Sequence, residues 1–219
     1  GCTGPKAGQG IMVGGVTSIT ALAQVRLTKM DKLVRAHVKG PSGARWDVPG
    51  KAGVVEFSLL EEGGSKVLET QLVEAKAQHD FIARAQFTKL KAGGHYEVRT
   101  RIGRSMDDLQ KGPTANFKSL PGKGKAESVQ FVVVTGMNYG KFHGDERIDR
   151  ATHLAHNNTE LPAPYAGPDK HLGYPALASI LKVKPDFLVG TGDNVYYDTP
   201  KDPRAETIPE LRQKWHEQF

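Results

Sequence analysis

The sequence predicts two domains, an all-β antiparallel sandwich followed by the start of an α/β domain. Three observations predict this. Short β-like segments recur at spacings of roughly 10–15 residues between Gly-rich turns, from Ile11 to Leu120. The segment Pro121-Gly122-Lys123-Gly124-Lys125 has the composition of a linker. Beyond it the strands become continuous apolar runs with a helical stretch between them, the pattern of parallel strands joined by a crossover. The expected division is a tether at 1–10, the sandwich at 11–120, a linker at 121–128 and the α/β portion at 129–219.

Composition bounds the rest. The chain has 219 residues, with 25 Gly and 13 Pro, too few for a low-complexity chain. The longest apolar run is Phe131-Val132-Val133-Val134, far short of the roughly 18 residues a membrane helix needs. The net charge is +6, with basic residues such as Lys89, Arg99, Arg101 and Lys111 scattered singly. Such a surface favours anionic ligands, yet no aromatics interleave with the charges, so no specific nucleic-acid readout is expected. An ordinary solvated basic face is the simpler account. Cys2 is the single cysteine, so there is no internal disulfide. Gly1-Cys2 looks like the tail of a bacterial lipobox, which implies an exported, periplasmic or cell-surface lipoprotein with a lipid anchor at Cys2.

The sandwich strands are expected at Val16–Thr20, Ala23–Leu27, Leu33–Val38, Val54–Leu59, Val67–Val73, Asp80–Phe87, His95–Ile102 and Phe117–Leu120. Leu90 stands six residues before Tyr96, across the turn Gly93-Gly94. That spacing resembles a tyrosine corner, whose phenol bonds back to the turn backbone; a half-buried strand tyrosine is the alternative. Together these features make residues 11–120 fibronectin-III-like.

In the α/β portion, Phe131–Gly136 reads as a buried strand and Met137–His171 as a long polar loop. Tyr174–Leu181 reads as a helix with Pro175 in its first turn, and Pro185–Asp193 as a second buried strand. Ile208, Leu211, Trp215 and Phe219 lie at helical spacing. One strand–helix–strand unit cannot bury its own sheet, so the remainder of the domain is expected as a carboxy-terminal partner.

Open α/β sheets bind ligands at the carboxyl ends of their strands. Those ends deliver Thr135-Gly136-Met137-Asn138-Tyr139 and Gly192-Asp193-Asn194-Val195-Tyr196. If the two strands are neighbours, the loops converge. Asp193 follows an apolar strand and a Gly, so its carboxylate would stand in the crevice, where it suits hard cations. Tyr196 can return to the same place through a tight turn, and a phenolate is an iron ligand in catalase. The plainer reading has Asp193 capping a turn and Tyr196 packing on the sheet edge.

The order Gly173-Tyr174-Pro175-Ala176-Leu177, then Lys184-Pro185-Asp186-Phe187-Leu188-Val189-Gly190-Thr191-Gly192-Asp193-Asn194-Val195-Tyr196-Tyr197-Asp198, resembles the PhoD-like alkaline phosphatase/phosphodiesterase family of the calcineurin-like metallophosphoesterases. That family also carries an amino-terminal fibronectin-III-like domain, so the resemblance covers nearly the whole chain. It implies an α/β metallophosphoesterase domain, a phosphate-ester substrate, and a dinuclear centre of Fe3+ with Ca2+, Zn2+ or Mn2+ that activates water. Asp193 would be the bridging carboxylate and Tyr196 the ferric ligand. One departure stands out. The family has Ser-Cys-Gln-Asn-Tyr after its first strand, with the Cys an iron ligand; here Gly136 takes that place, while Asn138 and Tyr139 match. Asn138, His143, Asp145 and Asn194 are the candidates for a substitute ligand or a substrate contact. The family's remaining ligands and the rest of its catalytic residues would lie beyond Phe219.

His153 and His156 are three apart and could share a helix face as ligands, although solvated loop residues are the commoner outcome. Trp215-His216-Glu217 reads as ordinary amphipathic helix. Two functions follow: a metal-dependent phosphoric ester hydrolase, or a non-catalytic exported binding or structural protein on a degenerate phosphatase scaffold.

Overall fold

Alternation of small apolar and polar residues along the chain builds a β-sandwich. The structure, a computed structural model, describes residues 3–41, 44–142, 147–199 and 204–219. It divides into two compact units, Gly1–Asp31 with Val48–Val129, and Lys32–Asp47 with Gln130–Phe219. The strands before the linker are β1 (Ile11–Gly14), β2 (Ala21–Arg26), β3 (Val34–His37), β4 (Ala44–Asp47), β5 (Gly53–Glu61), β6 (Val67–Ala75), β7 (Ile82–Phe87), β8 (His95–Gly103) and β9 (Gln110–Lys118).

In the first unit, β1-β2-β7 form one sheet and β6-β5-β8-β9 the other, with every pairing antiparallel. Ala23, Val25, Ala85 and Phe87 face inward from the first sheet, and Val55, Phe57, Tyr96 and Val98 from the second. The period of two along each strand puts these residues on one side. The antiparallel sandwich expected from the sequence is therefore present. The tyrosine corner forms: the Lys91 N–H donates to the Tyr96 hydroxyl at 2.7 Å, and the buried ring stacks on Phe117. Gly94 is needed beside it, because a Cβ there would stand 2.7 Å from the ring.

Two strand assignments are corrected. Val16–Thr20 is a turn, because the Thr17 hydroxyl accepts from the N–H groups of Ile19 and Thr20 and so competes with a ladder. The Leu33–Val38 segment does not join the sandwich. Its β3 pairs with β4, and this hairpin groups with the second unit.

The second unit holds β10 (Phe131–Val134), α1 (Tyr139–Phe142), α2 (Arg150–Asn157), α3 (Pro175–Val183), β11 (Phe187–Gly190) and α4 (Ile208–Gln218). Strands β10 and β11 pair in parallel, Phe131 beside Phe187 and Val134 beside Gly190, as the apolar runs predicted. The expected loop Met137–His171 contains α1 and α2. Asp149 starts α2 by accepting the Thr152 N–H at 3.0 Å, and Asn158 ends it in a left-handed conformation.

Helix α4 inverts the expected polarity. Ile208, Leu211 and Trp215 are exposed, whereas Glu210, Gln213, Lys214 and Glu217 are buried. The buried face meets the β3–β4 hairpin: Arg45 pairs with Glu210 at 3.7 Å, Gln213 Nε2 donates to the Trp46 carbonyl at 2.5 Å, and His216 Nδ1 meets Asp47 at 2.8 Å. No helix among the described residues is long and apolar enough to cross a membrane.

Candidate functional site at the strand ends

The loops leaving β10 and β11 are tied together. The Thr191 N–H donates to the Val134 carbonyl at 2.9 Å, and the Thr135 hydroxyl donates to the Gly192 carbonyl at 3.3 Å. Both loops turn sharply by left-handed residues, Gly136 (φ 62°) on one side and Gly192 (φ 120°) with Asp193 (φ 49°) on the other. Glycine supplies such φ values without penalty; a carboxylate residue there is strained.

The turn brings the two predicted donors together. The Tyr196 hydroxyl donates to Asp193 Oδ2 at 3.1 Å. Burial first, and then this bond and the Asp193 charge, hold the Tyr196 phenol above its ordinary range. Asp193 itself is exposed at the strand ends.

The other candidates are placed differently. Asn138 is buried, and its Oδ1 accepts the Lys141 N–H at 3.1 Å, which caps the start of α1. Asn194 lies over Gly190, where a Cβ would come within 2.8 Å of its Oδ1; that buried oxygen has no hydrogen-bond partner among the described residues. His143 and Asp145 lie outside the described residues, as does Cys2. His153 and His156 are engaged locally, with Thr159 at 3.3 Å and with the Thr152 carbonyl at 2.9 Å.

Asp193 and Tyr196 are two hard oxygen donors that one hard cation can share, which is the chemistry the cation sites of oxygen-ligated proteins use. Two donors do not by themselves make a coordination shell, and among the described residues no group of three or more His, Cys, Asp or Glu is placed to hold a metal ion. Gly136 adds no side chain to them.

A small cleft adjoins the pair, lined by Asn138, Tyr139, Gly140, Val195, Tyr196, Thr199, Lys214, Glu217 and Gln218. The α4 residues in it were missed by sequence reasoning. Lys214, Glu217 and Gln218 follow a three-to-four spacing, which marks one helix face, but a polar stripe ordinarily signals solvent. Lys214 Nζ donates to the Thr199 carbonyl at 2.8 Å, and Glu217 meets Arg147 at 3.5 Å and Gln213 Nε2 at 3.1 Å.

No protein-family model matches the sequence, and no curated protein matches it. Solved structures do. The chain is similar to a fibronectin type III domain of human collagen XX (TM-score 0.30, 10% identity, 52% of this chain and 88% of that one). It is also similar to the sensor domain of an anti-sigma factor from Pseudobacteroides cellulosolvens (TM-score 0.33, 17% identity, 54% of this chain and 80% of that one). Against the structure of PhoD the TM-score is 0.51 at 15% identity, covering 98% of this chain and 46% of that chain. The chain thus spans less than half the length of PhoD, and along nearly all of its own length its fold is PhoD-like.

Proposed function

We propose that the chain belongs to a metal-dependent phosphoric ester hydrolase of the PhoD-like type. The observation that carries this reading is the Asp193–Tyr196 pair at the convergent strand ends of a PhoD-like fold. The resident metals would be Fe3+ with Ca2+, Zn2+ or Mn2+; when bound, they supply a water activated at neutral pH and positive charge against the transferring phosphoryl group.

The chain's own residues have defined tasks in this reading. Asp193, fixed by the Gly192 turn, presents its carboxylate to the cations. Tyr196 donates its phenol O–H to Asp193 Oδ2; as a metal ligand it would release that proton to solvent, which would tie metal affinity to pH. The basic surface draws in the anionic ester. Further chain of the same domain would cover Phe131, Val133, Phe187 and Leu188, which are exposed on a sheet type that is ordinarily buried on both faces. Export with a lipid anchor at Cys2 completes the proposal.

The test is Asp193→Ala in the full-length protein, assayed on a model phosphodiester, with elemental analysis alongside. Turnover should fall by at least about a thousandfold and about two metals per wild-type chain should be found. Retained turnover in the variant would sink the assignment. Gly136, standing where the resembled family has a thiolate, favours the second reading, a non-catalytic exported binding protein. Wild-type protein that takes up no metal on reconstitution and turns over no ester would select it.

A further inference from the structure

The hydrogen bond between Tyr196 and Asp193 is exposed to water, and a single exposed bond does not hold a loop in one conformation. What holds this loop lies on α4. A segment without a ladder must find other partners for its carbonyls. Three carbonyls between Asn194 and Thr199 find them on α4 or on the chain leading into it. Gln218 Nε2 donates to the Asn194 carbonyl, the Ala205 N–H to the Tyr197 carbonyl at 2.7 Å, and Lys214 Nζ to the Thr199 carbonyl at 2.8 Å.

Lys214 and Gln218 stand one turn apart on the buried face of α4, and their two bonds fall on either side of Tyr196. The Asn194 carbonyl lies between Asp193 and Tyr196, just beyond the left-handed turn at Asp193. Fixing it sets how the chain leaves Asp193 and where Tyr196 arrives. Gln218 is itself well anchored. It is 2% exposed, and its own carbonyl accepts the Tyr174 N–H at 2.8 Å, at the start of α3. Gly173 permits that approach, because a Cβ there would stand 2.3 Å from the Gln218 carbonyl oxygen. The backbone of Gln218 is thus tied to α3, while its side chain reaches the loop that leaves β11.

We infer that Gln218, with Lys214 beside it, is a positioning residue that holds the Tyr196 loop against Asp193; the chemical use of that positioning rests on the phosphoesterase reading. Groups that orient a metal ligand from behind commonly change metal affinity by about 10–100-fold when they are removed.

The experiment uses full-length protein. Amide hydrogen exchange is followed without metal, and the protein is then titrated with Mn2+ alone, the free ion being read by electron paramagnetic resonance. Gln218→Leu keeps the bulk of the side chain and removes the donor. Exchange over 194–199 should rise at least about 10-fold while β10, β11 and α3 keep their rates. Mn2+ should bind about 10–100-fold more weakly. Gln213→Leu is the control. Gln213 is equally buried on the same helix, but its amide donates to the Trp46 carbonyl and to Glu217 instead of the loop. It should leave loop exchange and Mn2+ affinity at their wild-type values. Should either leucine variant not fold, the methionine variant at the same position decides. Loop exchange unchanged in Gln218→Leu, or raised equally in both variants, overturns the clamp. Faster loop exchange with wild-type Mn2+ affinity overturns the positioning role. The hydrolase reading fails separately: a wild type that binds no Mn2+ and turns over no phosphodiester removes it, while loop exchange that depends on Gln218 in that same protein keeps the clamp on Tyr196. Phosphodiester turnover and Mn2+ binding that survive Gln218→Leu unaltered do the reverse.

Discussion

Asp193 sits in left-handed backbone immediately after Gly192, so its carboxylate is held where the two strand loops meet rather than swinging freely. Its bond to Tyr196 favours the protonated phenol. A raised folded-state pKa means that the contribution to stability is full below the unfolded tyrosine pKa and is lost as pH rises through the folded value. An alkaline ultraviolet titration, compared against Tyr196→Phe, should place Tyr196 above the ordinary tyrosine range. Asp193→Asn should bring it down, since the negative charge is lost and the bond to it weakens, while burial remains. A Tyr196 transition that Asp193→Asn fails to move would refute the coupling. Gly136 is the second instructive residue. Open space surrounds the position of its missing Cβ, yet its φ is 62°. Gly136→Cys should therefore cost about 1–2 kcal/mol in urea denaturation, from backbone conformation rather than from a clash.

At the scale of elements, α4 and the β3–β4 hairpin hold each other through polar groups. Glu210 accepts from the N–H groups of Glu206 (2.7 Å) and Thr207 (3.2 Å), closing the capping box, and pairs with the fully buried Arg45. Burial pushes the Arg45 guanidinium down, and Glu210 pulls it back up. Gly40 must be small, because a Cβ there would lie 2.1 Å from Glu210 Oε1. Glu210→Ala removes a cap and strands a buried charge, so it should destabilise by about 3–5 kcal/mol. Leu211→Gln on the exposed face of the same helix should stay within about 0.5 kcal/mol. Urea midpoints of the two variants test the inversion directly: equal losses would mean that the apolar face is the buried one.

For the whole molecule, the net charge of +6 acts on any anionic ester before contact. Under the proposed hydrolase reading, the KM for a phosphodiester should rise as salt goes from about 0.02 to 0.5 M, since the screening length shrinks severalfold over that range. The kcat should change little. A KM indifferent to salt would show that the net charge plays no part in recruitment. The apolar residues exposed on β10 and β11 belong to this scale too, because a two-stranded parallel sheet has no second layer of its own to cover them.

The sequence by itself determined the sandwich, the parallel strand pair, the tyrosine corner and the convergence of Asp193 with Tyr196. Each depends on local periodicity or on a turn only a few residues long, so the information lies within one window of the chain. What only the tertiary structure decided involves partners far apart in sequence. The hairpin at Val34–Asp47 alternates like any sandwich strand, and nothing local says that it will leave the sandwich and meet a helix more than 160 positions later, as Arg45 does with Gln213. The polar stripe of α4 carries the same periodicity whether it faces water or a hairpin. Lys214 and Asn138 became neighbours in a cleft only because buried polar contacts, rather than the apolar stripe, chose how that helix packs.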